Sequence, residues 1–211
     1  MARARDRSVA LGRRRPSRDP KHRMLLVCEG TKTEPLYFKY LQHAFRNRLV
    51  QVEIAGEGKA SVALVKRALE LRSEAEREVR AQRDENLRFD EVWCVCDVDE
   101  HRHLDQALEL AAANDILIAL SNPCFELWAL LHFQLQSKAI HRHDAQRLAK
   151  ELLGVKEDKL LPLDRLHHGY ADAVRRAQSL RKTAQSMGAP RRNPSTNVDE
   201  LTEQIRRFGQ P

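Results

Sequence analysis

Apolar runs of strand length alternate with amphipathic stretches through the first 133 residues. Four runs rich in aliphatic residues have the length of buried strands: 24–28, 51–55, 91–97 and 116–120. The intervals between them place apolar residues at helical spacing: 35–48, 61–86 and 105–114. Because strands that alternate with helices are typical of α/β folds, we expect a four-stranded, mainly parallel sheet flanked by helices.

The pattern changes after Ser121, where helical spacing replaces the strand-like runs. An apolar helix is predicted over 123–133, and three amphipathic helices follow it: 140–153, 170–187 and 196–208. We therefore predict an α/β core over 23–133 and a helical C-terminal extension over 134–211 that packs on this core. Residues 1–22 precede the first strand and form a separate arm.

The composition is that of a soluble globular protein. Hydrophobic residues make up 42% of the chain and charged residues 32%, which excludes a disordered, collagen-like or membrane-bundle protein. The longest nearly uncharged stretch, 116–131, contains Asn122, Pro123 and Glu126 and is too short to span a bilayer. We expect no membrane association.

The positive charge is concentrated at the start of the chain. The formal net charge is +7, and residues 1–23 hold nine basic and two acidic residues, so the remainder is balanced. This segment lacks the apolar stretch of a secretory signal, and we expect a cytoplasmic protein with a disordered basic arm. Arg13, Arg14 and Arg15 are predicted to contact nucleic-acid phosphates. The other interpretation is a solvated arm without a partner.

The four cysteines do not form a recognisable metal motif. They stand at 28, 94, 96 and 124 with no CxxC pair, and three of them lie in apolar, strand-like runs. A zinc site needs ligands that converge tetrahedrally, and no convincing partner pair is present. Buried free thiols in a reducing compartment are the prediction.

Acidic residues follow two of the four predicted strands. Glu29 and Gly30 come after the first strand, and Asp97-Val98-Asp99 closes the third. Ligand sites of open α/β sheets lie at the carboxyl ends of the strands, where these carboxylates would meet and repel one another unless a cation neutralised them. Oxygen ligands at this density favour Mg²⁺ or Mn²⁺. The alternative is that they are ordinary loop acids.

A second interpretation of the Asp-x-Asp motif is a phosphatase of the haloacid dehalogenase type. Such enzymes also place Asp-x-Asp after a strand, and the first Asp is the nucleophile. There, however, the motif follows the first strand, and a later acidic pair holds the magnesium. Here it follows the third strand and no later pair is evident, so this alternative is the weaker one.

Four motifs together resemble the RloB-like family. They are Leu26-Val27-Cys28-Glu29-Gly30 with Thr33-Glu34-Pro35, the pair Asp97 and Asp99, the block Ser121-Asn122-Pro123-Cys124-Phe125-Glu126-Leu127-Trp128, and Asn193-Pro194-Ser195-Thr196-Asn197. The resemblance covers about residues 22–205, and the block at 121–128 is its most specific element. The family is linked with restriction loci, is related to AbiLii-type abortive-infection proteins, and is similar to the Toprim superfamily.

This resemblance implies a metal-dependent phosphoryl-transfer site. Glu29 matches the Toprim glutamate, and Asp97 and Asp99 match the aspartates that hold magnesium. Glu126 follows the fourth strand closely and is predicted as a further metal ligand. Lys32, beside the predicted helix start at Pro35, would receive a phosphate.

The function expected from these residues is a Mg²⁺- or Mn²⁺-dependent nuclease that cleaves DNA or RNA in phage defence. A co-encoded ATPase is a possible partner. The alternative is a non-catalytic Toprim-like module that binds nucleic acid or a partner protein in a defence complex. Either function involves the same carboxylates, so the sequence leaves both open.

Several other residues are predicted to have structural roles. Glu34 is expected to cap the first helix, Trp93 and Trp128 to lie in the core, and His132 to be a packing or surface residue. The segment 193–197 belongs to the family motif, but no chemistry follows from its residues.

Overall fold

The computed structural model describes residues 22–54, 61–98, 103–154 and 164–209. Most of the predicted basic arm, with Arg13, Arg14 and Arg15, lies outside these ranges, as does Asp99. The helices and strands in chain order are β1 Met24–Cys28, α1 Thr33–Ala44, β2 Val50–Ile54, α2 Ser61–Gln82, a 3₁₀ helix Glu85–Leu87, β3 Glu91–Asp97, α3 Leu104–Ala112, β4 Leu117–Asn122, α4 Glu126–Leu131, α5 Arg142–Leu153, α6 Asp164–His168, α7 Tyr170–Ser186, β5 Ser195–Thr196 and α8 Val198–Arg207.

The sheet has five strands in the order β2-β1-β3-β4-β5. The first four strands are mutually parallel, as the alternation of strands and helices predicted. The fifth strand pairs antiparallel with β4, joining Ser121 to Thr196 and Asn122 to Ser195. This strand was missed, because two residues are too short to show any alternation of apolar and polar positions.

Apolar side chains fill both faces of the sheet because successive strand residues point to opposite sides. Met24, Leu26 and Cys28 of β1 belong to the larger core cluster, which also takes residues from α1, α4, α6, α7 and α8. Leu25 and Val27 face the opposite side and pack against α2 and α3. The C-terminal helices α7 and α8 therefore share one core with the sheet.

Asparagine side chains fasten the 193–197 segment to the rest of the protein. Asn197 Oδ1 accepts from the Leu120 N–H at 2.6 Å, and its Nδ2 donates to the Ile118 carbonyl at 2.9 Å. Asn193 makes the same pair of bonds to the backbone of Ile140, at 3.0 and 2.9 Å. Each amide satisfies an N–H and a carbonyl of a distant backbone segment, so the structure assigns this motif a structural role.

A buried ion pair connects α7 to the start of α8. Both carboxylate oxygens of Asp199, whose side chain is 1% exposed, accept from the guanidinium of Arg181. Arg181 also donates to the Thr196 carbonyl at 2.8 Å. This arrangement fixes β5 between the two helices.

Several predicted helix bounds were wrong. The helix predicted to end at 48 ends at Ala44, and the one predicted to end at 86 ends at Gln82. The last helix begins at Val198 and not at Thr196, because Ser195–Thr196 is used as a strand. Asn197 precedes this helix, but its side chain turns to β4 and makes no capping bond. The first helix begins at Thr33, which places Pro35 within its first turn.

Three predictions about buried residues agree with the structure. Trp93 and Trp128 are buried, and so is His132. All four cysteines are free and buried. Among the helices that the structure describes, none is long and apolar enough to cross a membrane.

Candidate functional site

The acidic residues of the first and third strands lie at neighbouring strand ends. Asp97 is the last residue of β3, and Glu29 directly follows β1. These strands are adjacent and parallel, with Cys28 opposite Val95, and the Glu29 N–H donates to the Val95 carbonyl at 3.1 Å. The predicted Glu29 and Asp97 are therefore close in space, although 67 residues separate them in the chain.

Glu34 is a further acidic residue at this edge, although its position beside Pro35 predicted only a capping role. Its carboxylate is buried in the first turn of α1. It lies directly against Gly30, where a Cβ would overlap the carboxylate. Glu34 thus lies in the first turn of the helix, as expected, and its carboxylate is also close enough to Glu29 to be affected by its charge.

The pKa values of Asp97 and Glu34 respond to the charges of neighbouring carboxylates. Burial raises the pKa of Asp97 well above its usual range, and the charges of Glu34, Glu126 and Glu29 raise it further. Burial also raises the pKa of Glu34 to about 7, with contributions from Glu126 and Glu29. The carboxylates predicted at 29, 97 and 126 therefore share one electrostatic environment with Glu34.

Arg142 supplies positive charge to this cluster. Its Nη2 lies 3.1 Å from Asp97 Oδ2, and its charge lowers the pKa of Asp97 against the effect of burial. Arg142 begins α5 and is 45 residues from Asp97 in the chain. Sequence reasoning missed this residue because His141-Arg142-His143 looks like any polar connection between helices.

The chemistry of these donors suits an ion that prefers oxygen ligands, such as Mg²⁺ or Mn²⁺. In the described ranges, however, no three or more His, Cys, Asp or Glu side chains are placed to hold a metal. Asp99, one of the predicted ligands, lies outside those ranges. The carboxylates of 29, 97 and 126 are therefore grouped in one region, while their convergence on an ion remains a prediction.

Lys32, the predicted phosphate-binding residue, is exposed immediately before α1. It directly precedes the helix whose first turn carries Glu34, so it stands near the acidic edge. Its role stays a prediction, as does that of Arg13, Arg14 and Arg15.

The fold and the site together define an α/β protein with a mostly parallel sheet and a carboxylate cluster at the carboxyl edge of that sheet. Residues 24–205 match the family model described as RloB-like protein. The chain therefore belongs to the RloB-like family, as its motifs indicated. Comparisons with curated proteins and with solved structures find no match.

Proposed function

We propose that this protein is a metal-dependent nuclease of the Toprim type that cleaves DNA or RNA, in the cytoplasm, as part of a phage-defence system. The observation that carries the proposal is the shared electrostatic environment of Glu29, Asp97 and Glu126 at the carboxyl edge of a parallel sheet. Phosphodiester hydrolysis needs charge stabilisation at the phosphate, and Mg²⁺ or Mn²⁺ held by carboxylates supplies this together with an activated water.

The acidic residues divide into two roles in this proposal. Glu29, Asp97 and Asp99 hold the metal, and Glu126 adds a further oxygen. Glu34 has a pKa of about 7, so it can take up and release a proton near neutral pH. Glu34 is therefore the proton carrier in this proposal.

The support for a Toprim-like arrangement is the order of the acids along the chain. A glutamate follows the first strand, and an aspartate pair begins at the end of the third, as the resemblance implies. A co-encoded ATPase as partner is a further part of this proposal.

A cleavage assay tests the proposal. Plasmid DNA and a structured RNA are incubated with Mg²⁺ or Mn²⁺ and with wild type, Glu29→Gln or Asp97→Asn. Removing a group that acts on the reaction should lower cleavage at least about a hundredfold. Glu78→Gln is the matched control, because Glu78 is an exposed acid near the end of α2 and does not act on the pKa of Asp97 or Glu34. Metal-dependent cleavage that survives both site substitutions would contradict the assignment.

The Arg142–Asp97 ion pair favours a second candidate, a non-catalytic module that binds nucleic acid or a partner protein. A guanidinium on Asp97 can neutralise the carboxylate without a metal. This candidate predicts nucleic-acid binding without cleavage and without heat of Mg²⁺ or Mn²⁺ binding in calorimetry. The nuclease proposal predicts that cleavage and the heat of Mg²⁺ or Mn²⁺ binding are both observed.

A further inference from the structure

Two segments of the C-terminal half contain basic residues and no acidic ones. Residues 127–143 hold one lysine, one arginine and three histidines, and residues 173–198 hold five arginines and one lysine. Neither segment contains Asp or Glu, although the chain beyond the basic arm is balanced as a whole. Positive charge is therefore concentrated in these two parts of the sequence.

Hydrogen bonds of Asn193 bring the two segments together. Its side-chain amide bonds the N–H and the carbonyl of Ile140, at 3.0 and 2.9 Å. Arg192 directly precedes Asn193, and Lys138 and His141 stand within two residues of Ile140. Exposed side chains of both segments thus lie on one part of the surface.

This part of the surface borders the candidate site. Asn122, the last residue of β4, donates from Nδ2 to the Arg191 carbonyl at 2.7 Å. β4 lies beside β3, with Ser121 opposite Asp97. In the first segment, Arg142 Nη2 lies 3.1 Å from Asp97 Oδ2. Both segments therefore approach the acidic edge on its β4 side.

We call the exposed basic side chains at this place the basic rim. One lysine and two arginines supply positive charge, and two histidines add ring N–H donors. The members are Lys138, His141, His143, Arg191 and Arg192.

The contacts that the rim arginines make within the protein are of a kind that phosphate can replace. Arg191 Nη1 lies 2.7 Å from Asp105 Oδ1, and both side chains are exposed, so the ion pair contributes little to stability. Arg192 contacts the sulfur of Met187, which is a weak hydrogen-bond acceptor. A phosphate accepts two parallel bonds from one guanidinium and is a stronger partner than a single exposed carboxylate oxygen or a thioether.

Building on the function proposed above, we infer that the basic rim binds the phosphate backbone of the nucleic acid and holds it beside the acidic edge. The carboxylates of Glu29, Asp97 and Glu126 repel a polyanion, so its approach needs positive charge next to them. Lys32 precedes α1 on the β1 side of this edge, and the rim lies on the β4 side. The backbone crosses the carboxylates between these two positions, and the C-terminal extension supplies substrate binding.

The combined substitution Lys138→Gln, Arg191→Gln and Arg192→Gln tests the inference through the salt dependence of binding. Fluorescence anisotropy is recorded with single-stranded DNA and RNA oligonucleotides of equal length, in EDTA so that no metal-dependent cleavage occurs. Loss of three phosphate contacts should lower the slope of log K against log salt by about 2 and weaken binding about a hundredfold at about 0.1 M salt. The free energy of unfolding should stay unchanged, because all three side chains are exposed.

The matched control removes three exposed arginines from the opposite edge of the sheet, in the combined substitution Arg77→Gln, Arg80→Gln and Arg88→Gln. These residues lie between the second half of α2 and the start of β3. The net charge changes equally in the two variants, so the control accounts for general attraction of a polyanion and should keep the wild-type slope. An equal loss of binding in both variants, or binding of wild type to neither oligonucleotide, overturns the inference.

Asp105→Asn should change the affinity in the opposite direction. The substitution removes the acid that pairs with Arg191, so oligonucleotide binding should tighten about two- to fivefold. Glu85→Gln is its control, because Glu85 is an exposed acid paired with Arg88 before β3, and its affinity should equal that of wild type. An affinity of Asp105→Asn no higher than that of Glu85→Gln would overturn the phosphate contact of Arg191.

Competition with polyglutamate separates recognition of phosphate from a general affinity for acidic proteins. At equal charge concentration, polyglutamate should displace much less labelled oligonucleotide than unlabelled DNA does, and equal displacement overturns the inference. The inference and the nuclease proposal fail separately. Cleavage by wild type with unchanged binding in the combined rim variant removes the inference alone, whereas the predicted loss of binding without any cleavage by wild type removes the nuclease alone.

Discussion

Gly30 determines where the Glu34 carboxylate lies, although it contributes no side chain of its own. The carboxylate of Glu34 fills the space that a Cβ at position 30 would need. At Gly169 the obstructing group is instead the backbone carbonyl of His132. A side chain end can move aside and a backbone carbonyl cannot, so the two glycines should respond differently to substitution.

We expect Gly30→Ala to fold with little loss of stability and to displace the Glu34 carboxylate. Its pKa should then fall from about 7 toward the ordinary value, because the carboxylate leaves its buried position. NMR titration of the glutamate carboxyl carbons measures this shift. Gly169→Ala is the comparison and should lose about 1–3 kcal/mol in chemical unfolding. An unchanged Glu34 titration in Gly30→Ala would contradict this account of the site.

His132 should make the folded protein less stable in acid. Burial lowers its pKa to about 4, and its Nδ1 donates to the Trp128 carbonyl at 2.9 Å. The unfolded chain binds a proton near pH 6.5 and the folded chain does not, so stability falls as the pH drops from 6.5 to 4. The loss is on the order of 3 kcal/mol.

The measurement is the free energy of unfolding of wild type and His132→Gln across this pH range. Other groups titrate in the same range, so the difference between the two proteins isolates His132. The free energy of unfolding of wild type should exceed that of His132→Gln by more above pH 6.5 than at pH 4. A pH-independent difference would show that His132 is protonated equally in both states.

The side chain of Asn197 extends the pairing along the edge of β4 beyond β5. Asn197 bonds the N–H of Leu120 and the carbonyl of Ile118, which otherwise lack the neighbouring strand beyond the two-residue β5. Asn197→Ala should therefore cost about 2 kcal/mol, since two backbone groups lose their partner. Chemical unfolding measures this, with Asn86→Ala as a control on an exposed asparagine that bonds Asp84. Equal losses of unfolding free energy in the two variants would contradict the role given to the Asn197 side chain.

The elements were predictable where they were long or strongly apolar. The third strand was expected over 91–97 and is found there, because its run of apolar residues ends abruptly in acid. β5 was not predictable, because its two residues are placed by the tertiary bonds of Asn193 and Asn197 and by Arg181. The same bonds explain why the start of α8 was predicted two residues early.

The basic arm should contribute to nucleic-acid binding but not to the stability of the folded protein. Deleting residues 1–21 removes eight of the nine basic residues at the start of the chain and leaves His22, whose ring stacks on Phe208 at 3.7 Å. We expect weaker nucleic-acid binding with a flatter salt dependence, because fewer phosphates are neutralised, and an unchanged free energy of unfolding. Anisotropy at several salt concentrations tests this. An unchanged slope would show that the arm does not contact nucleic acid.

The residues of the candidate site that stand at the end of a strand were predictable from the sequence. Glu29 and Asp97 could be grouped because parallel neighbouring strands end at the same edge. Glu34 was visible in the sequence, but its burial depends on the fit against Gly30. Arg142 was not predictable, because only the packing of α5 on α4 brings it to Asp97.

The central claim is that the grouped carboxylates hold a divalent cation, and Mn²⁺ in crystals of the wild-type protein tests it most directly. Anomalous diffraction locates the ion without any assumption about activity. We predict a manganese peak at the carboxyl edge of the sheet, with oxygens of Glu29 and Asp97 in its coordination shell. Crystals grown with excess Mn²⁺ that show no peak at this edge would contradict the account.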